Sequence, residues 1–133
     1  NVRDWLYVED HARALYLLLK NGKKGETYNI GGESERRNID LVYEIIRLVA
    51  DLQDIPVQEL EKLITYVKDR PGHDLRYAID CSKIKNELEW RPSYHFSEKL
   101  KETILWYMKN SEWVRNVRTG DYRKWLELNY SSK

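Results

Sequence analysis

Asp4-Trp5-Leu6-Tyr7-Val8-Glu9-Asp10-His11-Ala12-Arg13-Ala14-Leu15 is the stretch that sets the fold class. Its first five residues are aromatic and branched and read as a short strand, Asp4–Val8. The strand runs straight into a helix whose first turn carries Glu9 and Asp10, acids at the end where the helix dipole favours them. That helix continues through Leu19 and stops at Lys20-Asn21-Gly22, a cationic last turn followed by glycine. Its second half is apolar nearly all round, which predicts burial on more than one side.

Further along, Gly25–Gly32 reads as a second strand ending in a glycine pair, and Asn38-Ile39-Asp40 opens a second helix. Leu41, Ile45, Leu48 and Val49 share one face of it at helical spacing. Asp54-Ile55-Pro56 breaks the pattern, and Val57–Leu63 reads as a short helical turn. Ile64-Thr65-Tyr66-Val67 alternates like a third strand, and Ser82–Leu88 forms a helix capped by Asp80. Phe96, Leu100, Ile104 and Tyr107 predict an amphipathic helix over Ser97–Asn110. The tail, with Trp113, Val114, Tyr122, Trp125, Leu126 and Tyr130, is apolar enough to dock on the body. Short strands alternating with helices give an α/β class, or α+β when the chain stands alone.

Composition removes several classes of function. The chain has 133 residues, the length of one domain spanning 1–133. Net charge is +1, with 23 basic against 22 acidic residues and no basic block, so a nucleic-acid partner is not expected. No apolar run approaches the roughly 18–20 residues a bilayer span needs. Lone Cys81 cannot form an intramolecular disulfide and fits a reducing cytoplasm. Ten Tyr and five Trp stand against one Phe, and their polar tips suit half-buried binding surfaces as well as cores.

No G-x-G-x-x-G, G-x-x-G-x-x-G or G-x-x-x-x-G-K-[ST] pattern occurs, so the chain has no dinucleotide-binding loop of its own. His11, His73 and His95 are scattered, and no metal site is expected. Tyr16-Leu17-Leu18-Leu19-Lys20 matches the Tyr-x-x-x-Lys pattern of short-chain dehydrogenases, but nothing nucleotide-binding precedes it. The plain reading is a buried tyrosine and a helix-end lysine. Asp69-Arg70-Pro71-Gly72-His73-Asp74-Leu75-Arg76-Tyr77 is more informative: a Pro-Gly turn holds an Arg on one side and a His on the other. Arginine's planar fork suits phosphate oxygens, and a rigid turn lowers the cost of ordering it. Arg3 is a second such arginine. Spacing alone leaves open whether the two converge, and a charge-decorated turn is the alternative.

Together these segments resemble the dTDP-glucose 4,6-dehydratases of the extended short-chain dehydrogenases. Val2–Ala14 is similar to that family's R-D-W-L-Y-V-x-D-H-x-x-A stretch, and Gly25–Gly32 to its G-E-x-Y-N-I-G-G, followed by Glu35 and Asn38. Asp69–Asp80 matches D-R-P-G-H-D-x-R-Y-A-I-D. Lys83-Ile84, Glu87-Leu88 and Trp90-Arg91-Pro92 resemble K-I-x-x-E-L-G-W-x-P, with Glu89 where the family usually has glycine. Trp106-Tyr107 and Asn129-Tyr130 fit its terminal segments.

The resemblance implies a helix-rich C-terminal, nucleotide-sugar-binding portion with a few short strands and no complete Rossmann sheet. It implies that Arg3 and Arg70 contact the diphosphate of dTDP-glucose, and that Asn38, His73 and Tyr130 help hold phosphate and ribose. Asp69, Pro71 and Gly72 would shape the loop. The family's lyase reaction moves a hydride from glucose C4 to NAD, eliminates water across C5–C6 and returns the hydride to C6. Its catalytic groups and NAD loop lie before the segment matched by residue 1. Hence no catalytic residue and no bound NAD is expected here, and the partner is the missing NAD-binding domain. The family forms homodimers through that domain, so this chain should instead self-associate through bared apolar surface around Tyr7–Leu19. A related nucleotide-sugar epimerase or decarboxylase, or a non-catalytic binding module, remains the alternative, since V-x-D-x-x-x-A and R-P-G are shared more widely.

Overall fold

Helix α1 (Val8–Asn21) grows out of an extended entry at Tyr7, with Glu9 and Asp10 in its first turn and Lys20 in its last. It ends where the Gly22 N–H donates to the Leu18 carbonyl at 2.8 Å. In the computed structural model, residues 1–68 and 71–118 are described. The backbone divides into two compact units, Asn1–Lys99 and Leu100–Lys133. The elements run β1 (Val2–Asp4), α1, β2 (Glu35–Arg37), α2 (Asn38–Gln53), α3 (Val57–Glu61), α4 (Ser82–Leu88), α5 (Phe96–Lys109) and α6 (Ser111–Arg118). This is a helix-rich α+β arrangement whose sheet structure among the described residues is one two-stranded sheet and one isolated bridge.

The strands depart from the sequence reading. Asp4–Val8 is not a strand: pairing is confined to β1, antiparallel to β2 with Val2 opposite Arg37 and Asp4 opposite Glu35, and Val8 already begins α1. Gly25–Gly32 is not a strand either; Tyr28 and Ile30 are partly buried against the core but enter no ladder. Ile64–Val67 likewise forms none, and Tyr66 and Val67 are exposed. Alternation is a local signal, whereas a strand exists only where a second backbone supplies its hydrogen bonds. The partner that β1 finds, Glu35-Arg36-Arg37, is charged throughout and shows no strand pattern.

Helices α1 to α5 follow their sequence signals closely, whereas α6 falls in the tail, for which the sequence reading named no helix. Asp54, in the left-handed region at φ 53, closes α2, and α3 packs back against it after Pro56. The deepest residues of α2 are Leu41, Ile46 and Ala50, so the buried stripe is rotated from the expected Leu41, Ile45, Leu48 and Val49. The N-cap position of α4 falls to Cys81, with no side-chain capping bond, rather than to Asp80; Asp80, one residue earlier, accepts the backbone N–H of Ser82 (2.8 Å) and its hydroxyl (2.5 Å) and ties down the start of the helix from there. α4 ends at Glu89, whose φ of 54 lies in the left-handed region that glycine adopts without strain. Along α5, Ile104 is buried but Tyr107 is half exposed.

Ala14, Cys81, Ile84 and Trp90 form the core of the first unit, with Leu6, Leu17, Leu18, Tyr28, Ile30 and Leu88 packed around them. The second half of α1 is therefore buried on one side, not several. Leu15 (52 % exposed), Tyr16 and Leu19 (84 %) face outward with Val8, a stripe opposite Ala14, Leu17 and Leu18. Tyr16 is thus exposed rather than buried, and the Lys20 ammonium lies 4.6 Å from its ring centroid, a contact one helical turn apart. No helix among the described residues is long and apolar enough to cross a membrane.

Candidate functional site: the Arg3–His73 cluster

β1 has a neighbour on each side. β2 pairs with it along one edge, and Leu75–Tyr77 meets it along the other through a parallel bridge between Val2 and Arg76. The Val2 N–H donates to the Leu75 carbonyl at 2.7 Å, and the Tyr77 N–H returns to the Val2 carbonyl at 3.1 Å. This pairing brings the Pro71–Tyr77 segment alongside Arg3, some seventy residues earlier in the chain.

The Arg3 guanidinium is held at several points. Its Nη1 donates to the Val2 carbonyl (2.7 Å), and its Nη2 lies 2.6 Å from His73 Nε2 and donates to the Asp74 carbonyl (3.2 Å). The Tyr77 ring lies under its face, 4.5 Å from Cζ to the centroid. A guanidinium only donates, so His73 Nε2 accepts and Nδ1 carries the ring hydrogen. Nδ1 in turn lies 3.3 Å from the side-chain amide of Asn1, whose nitrogen and oxygen exchange places by a simple flip. The Asn1 backbone carbonyl accepts the backbone N–H of Asn38 at 2.9 Å, so the backbone at the start of α2, where Asn38 is exposed, lies next to the cluster.

Two carboxylates fix this framework. Asp4 accepts the backbone N–H groups of Gly32 and Ser34, both at 2.8 Å, fastening β1 to the turn before β2. That turn comes so close that a Cβ on Gly32 would sit 2.0 Å from the Trp5 carbonyl oxygen. Glu35 accepts two bonds from Arg76, at 2.6 and 2.9 Å, joining β2 to the loop. The Arg76 guanidinium holds the Glu35 carboxyl below its ordinary range, and Glu35 raises Arg76 in return.

Arg3 and His73 are therefore in direct contact, and Asn38 is attached through Asn1. Pro71 and Gly72 lie exposed on the loop, with Gly72 at φ 69, a turn conformation suited to glycine. Asp69, Arg70 and Tyr130 lie outside the described residues. Sequence reasoning did not single out Asn1, Asp4 or Tyr77. Asp4 and Tyr77 sit inside the two diagnostic motifs, which was the available signal; Asn1 had none. A separate open groove of about 390 Å³ is lined by His11, Tyr28, Asn29, Ile30, Ala78, Ile79 and Asp80, and shares no residue with the cluster.

Chemically, the cluster offers the planar cation of Arg3 on β1, the His73 imidazole beside the Pro71-Gly72 turn and the Asn1 amide, a set that suits an anionic diphosphate or a similar oxyanion. Gly22 closes a helix rather than opening one, and Gly31-Gly32 leads into β2, so neither supplies a pyrophosphate cradle at a helix start.

The chain is 51% identical over 133 residues to a dTDP-glucose 4,6-dehydratase of Escherichia coli, matching 99% of this chain and 36% of that protein. It is 50% identical over 125 residues to a dTDP-glucose 4,6-dehydratase of Neisseria meningitidis, covering 92% of this chain and 35% of the relative. It thus spans little more than a third of the length of these relatives. Among solved structures, dTDP-glucose 4,6-dehydratase from Bacillus anthracis in complex with NAD superposes with a TM-score of 0.69 at 45% identity, covering 85% of this chain and 33% of that one. The Streptomyces venezuelae dTDP-glucose 4,6-dehydratase DesIV, also with NAD bound, gives 0.71 at 38% identity over the same shares. The GDP-mannose 4,6 dehydratase family model matches residues 1–103, and the chain belongs to that family.

Proposed function

We propose that this chain is the nucleotide-sugar-gripping portion of a dTDP-glucose 4,6-dehydratase, forming one binding domain over 1–133. The observation that carries the reading is the 2.6 Å contact between Arg3 and His73, which joins the two most family-specific motifs at one place. In this reading Arg3, Arg70 and His73 hold the diphosphate of dTDP-glucose. Asn38 and Tyr130 hold phosphate and ribose, and Asp69, Pro71 and Gly72 shape the loop. Binding energy from the nucleotide end positions a sugar whose chemistry happens elsewhere. The whole enzyme is a cytoplasmic homodimeric lyase that converts dTDP-glucose to dTDP-4-keto-6-deoxyglucose and water with bound NAD. This chain alone neither binds NAD nor turns over.

The outward stripe of Val8, Leu15, Tyr16 and Leu19 supports the same reading, because an apolar face of this kind suits a covering NAD-binding domain. Calorimetry with dTDP and UDP tests the site. Weak binding that favours dTDP and is measurably weakened, though not abolished, in Arg3→Gln is expected. A clear UDP preference, or binding indifferent to Arg3, overturns the assignment. Incubation with dTDP-glucose and NAD should yield no 4-keto-6-deoxy product by mass spectrometry, and product above background refutes inactivity.

A further inference from the structure

We propose that Tyr77 is a positioning residue for Arg3, an inference that rests on Arg3 being a ligand-gripping group. The hydrogen bonds that Arg3 donates go to two backbone carbonyls and the His73 ring nitrogen. Such bonds act at the edges of the guanidinium and leave its plane able to tilt about them. The Tyr77 ring, 4.5 Å from Cζ, closes that freedom from the face. The geometry is self-consistent: the Val2 carbonyl accepts both the Tyr77 N–H and Arg3 Nη1, so the ring and the cation it supports hang from one backbone oxygen. Tyr77 is 46% exposed, so its ring face is not consumed by core packing. An arginine ordered before the ligand arrives loses less side-chain freedom on binding, which raises affinity without a new ligand contact.

The test uses this chain, with dTDP as the titrant and the Arg3 side-chain N–H resonances as a ligand-free probe. Tyr77→Leu should weaken dTDP binding about 2- to 5-fold, the factor an exposed cation–π contact carries. Tyr77→Phe, which keeps the ring, should bind as the parent does. In an Arg3→Gln background Tyr77→Leu should add nothing, because the two act as one unit. Before any ligand is added, the Arg3 resonances should carry a ring-current shift that Tyr77→Phe retains and Tyr77→Leu abolishes. An equal loss with Tyr77→Phe would place the role in the hydroxyl and overturn the proposal, as would an undiminished effect in Arg3→Gln. If the parent chain fails to bind dTDP, the nucleotide reading of the site falls, while the ring-current shift still decides whether Tyr77 holds Arg3.

Discussion

Replacing Asp10 by alanine should unfold the junction between α1 and the segment that leads into α5. Asp10 is 1 % exposed, yet it is a charged residue in the first turn of α1. Its carboxylate accepts the Ser93 N–H at 3.2 and 3.3 Å, the Ser93 hydroxyl at 3.1 Å and the Tyr94 N–H at 3.4 Å, and Arg13 pairs with it at 3.0 Å. The backbone bonds are long, so each belongs at the lower end of the roughly 1.5–3 kcal/mol typical of charge-assisted bonds. Arg13 is 45% exposed, and solvent screening leaves its pairing worth well under about 1 kcal/mol. Asp10→Ala strands two backbone donors and should cost about 3 kcal/mol; Asp10→Asn keeps one acceptor and should cost about half that. Urea unfolding followed by tryptophan fluorescence measures the loss. Hydrogen exchange localises it, with the Ser93 and Tyr94 amides losing protection by about 100-fold, the equilibrium factor for such a change. A loss below about 1 kcal/mol with both amides still protected would refute the view that Asp10 anchors this segment.

Other consequences are equally direct. Glu89→Gly should stabilise the chain by about 0.5–1 kcal/mol, because glycine occupies the left-handed conformation without a Cβ clash; a lowered melting temperature contradicts this. Glu35 titrates below its ordinary 4.5 because Arg76 donates to it, and Asp80 and Glu87 are lowered by Ser82 and by Tyr28 with Lys23. Their contributions are complete above the ordinary carboxylate range and disappear as pH falls through the lowered values. Glu35→Gln should therefore flatten the acid limb of the stability–pH curve, and an unchanged limb counts against the Arg76 pair. Leu15→Gln with Leu19→Gln should shift the chain from self-associated species toward monomer by light scattering while circular dichroism stays constant. A parent that is monomeric at high concentration defeats that expectation.

How much was legible in advance depended on how local each feature is. The acidic start and Gly22 stop of α1 and the Asp54–Pro56 break were readable, and Asp80 was off the capping position by one residue, because each concerns groups within a turn of one another. The strand readings failed for the opposite reason. Ile64–Val67 alternates correctly but has no ladder, while Glu35–Arg37, with no strand signal, pairs with β1. Asp10 illustrates the middle case. The helix dipole explains an acid at that position, but its burial comes from Ser93 and Tyr94, more than eighty residues away.

The sequence by itself determined helices α1 to α5, the motifs around Arg3 and Arg70, and the lack of a glycine-rich nucleotide loop, since these are properties of residue type and short spacing. Only the tertiary structure decided that Arg3 meets His73, that Asn1 links them to Asn38, and that Tyr77 lies beneath the guanidinium. Only it decided, too, which side of the apolar α1 is covered. The reason is physical: a helix closes its hydrogen bonds within itself, whereas an edge strand, a buried carboxylate and a side-chain cluster take their partners from distant chain, and nothing in local spacing encodes which distant segment arrives.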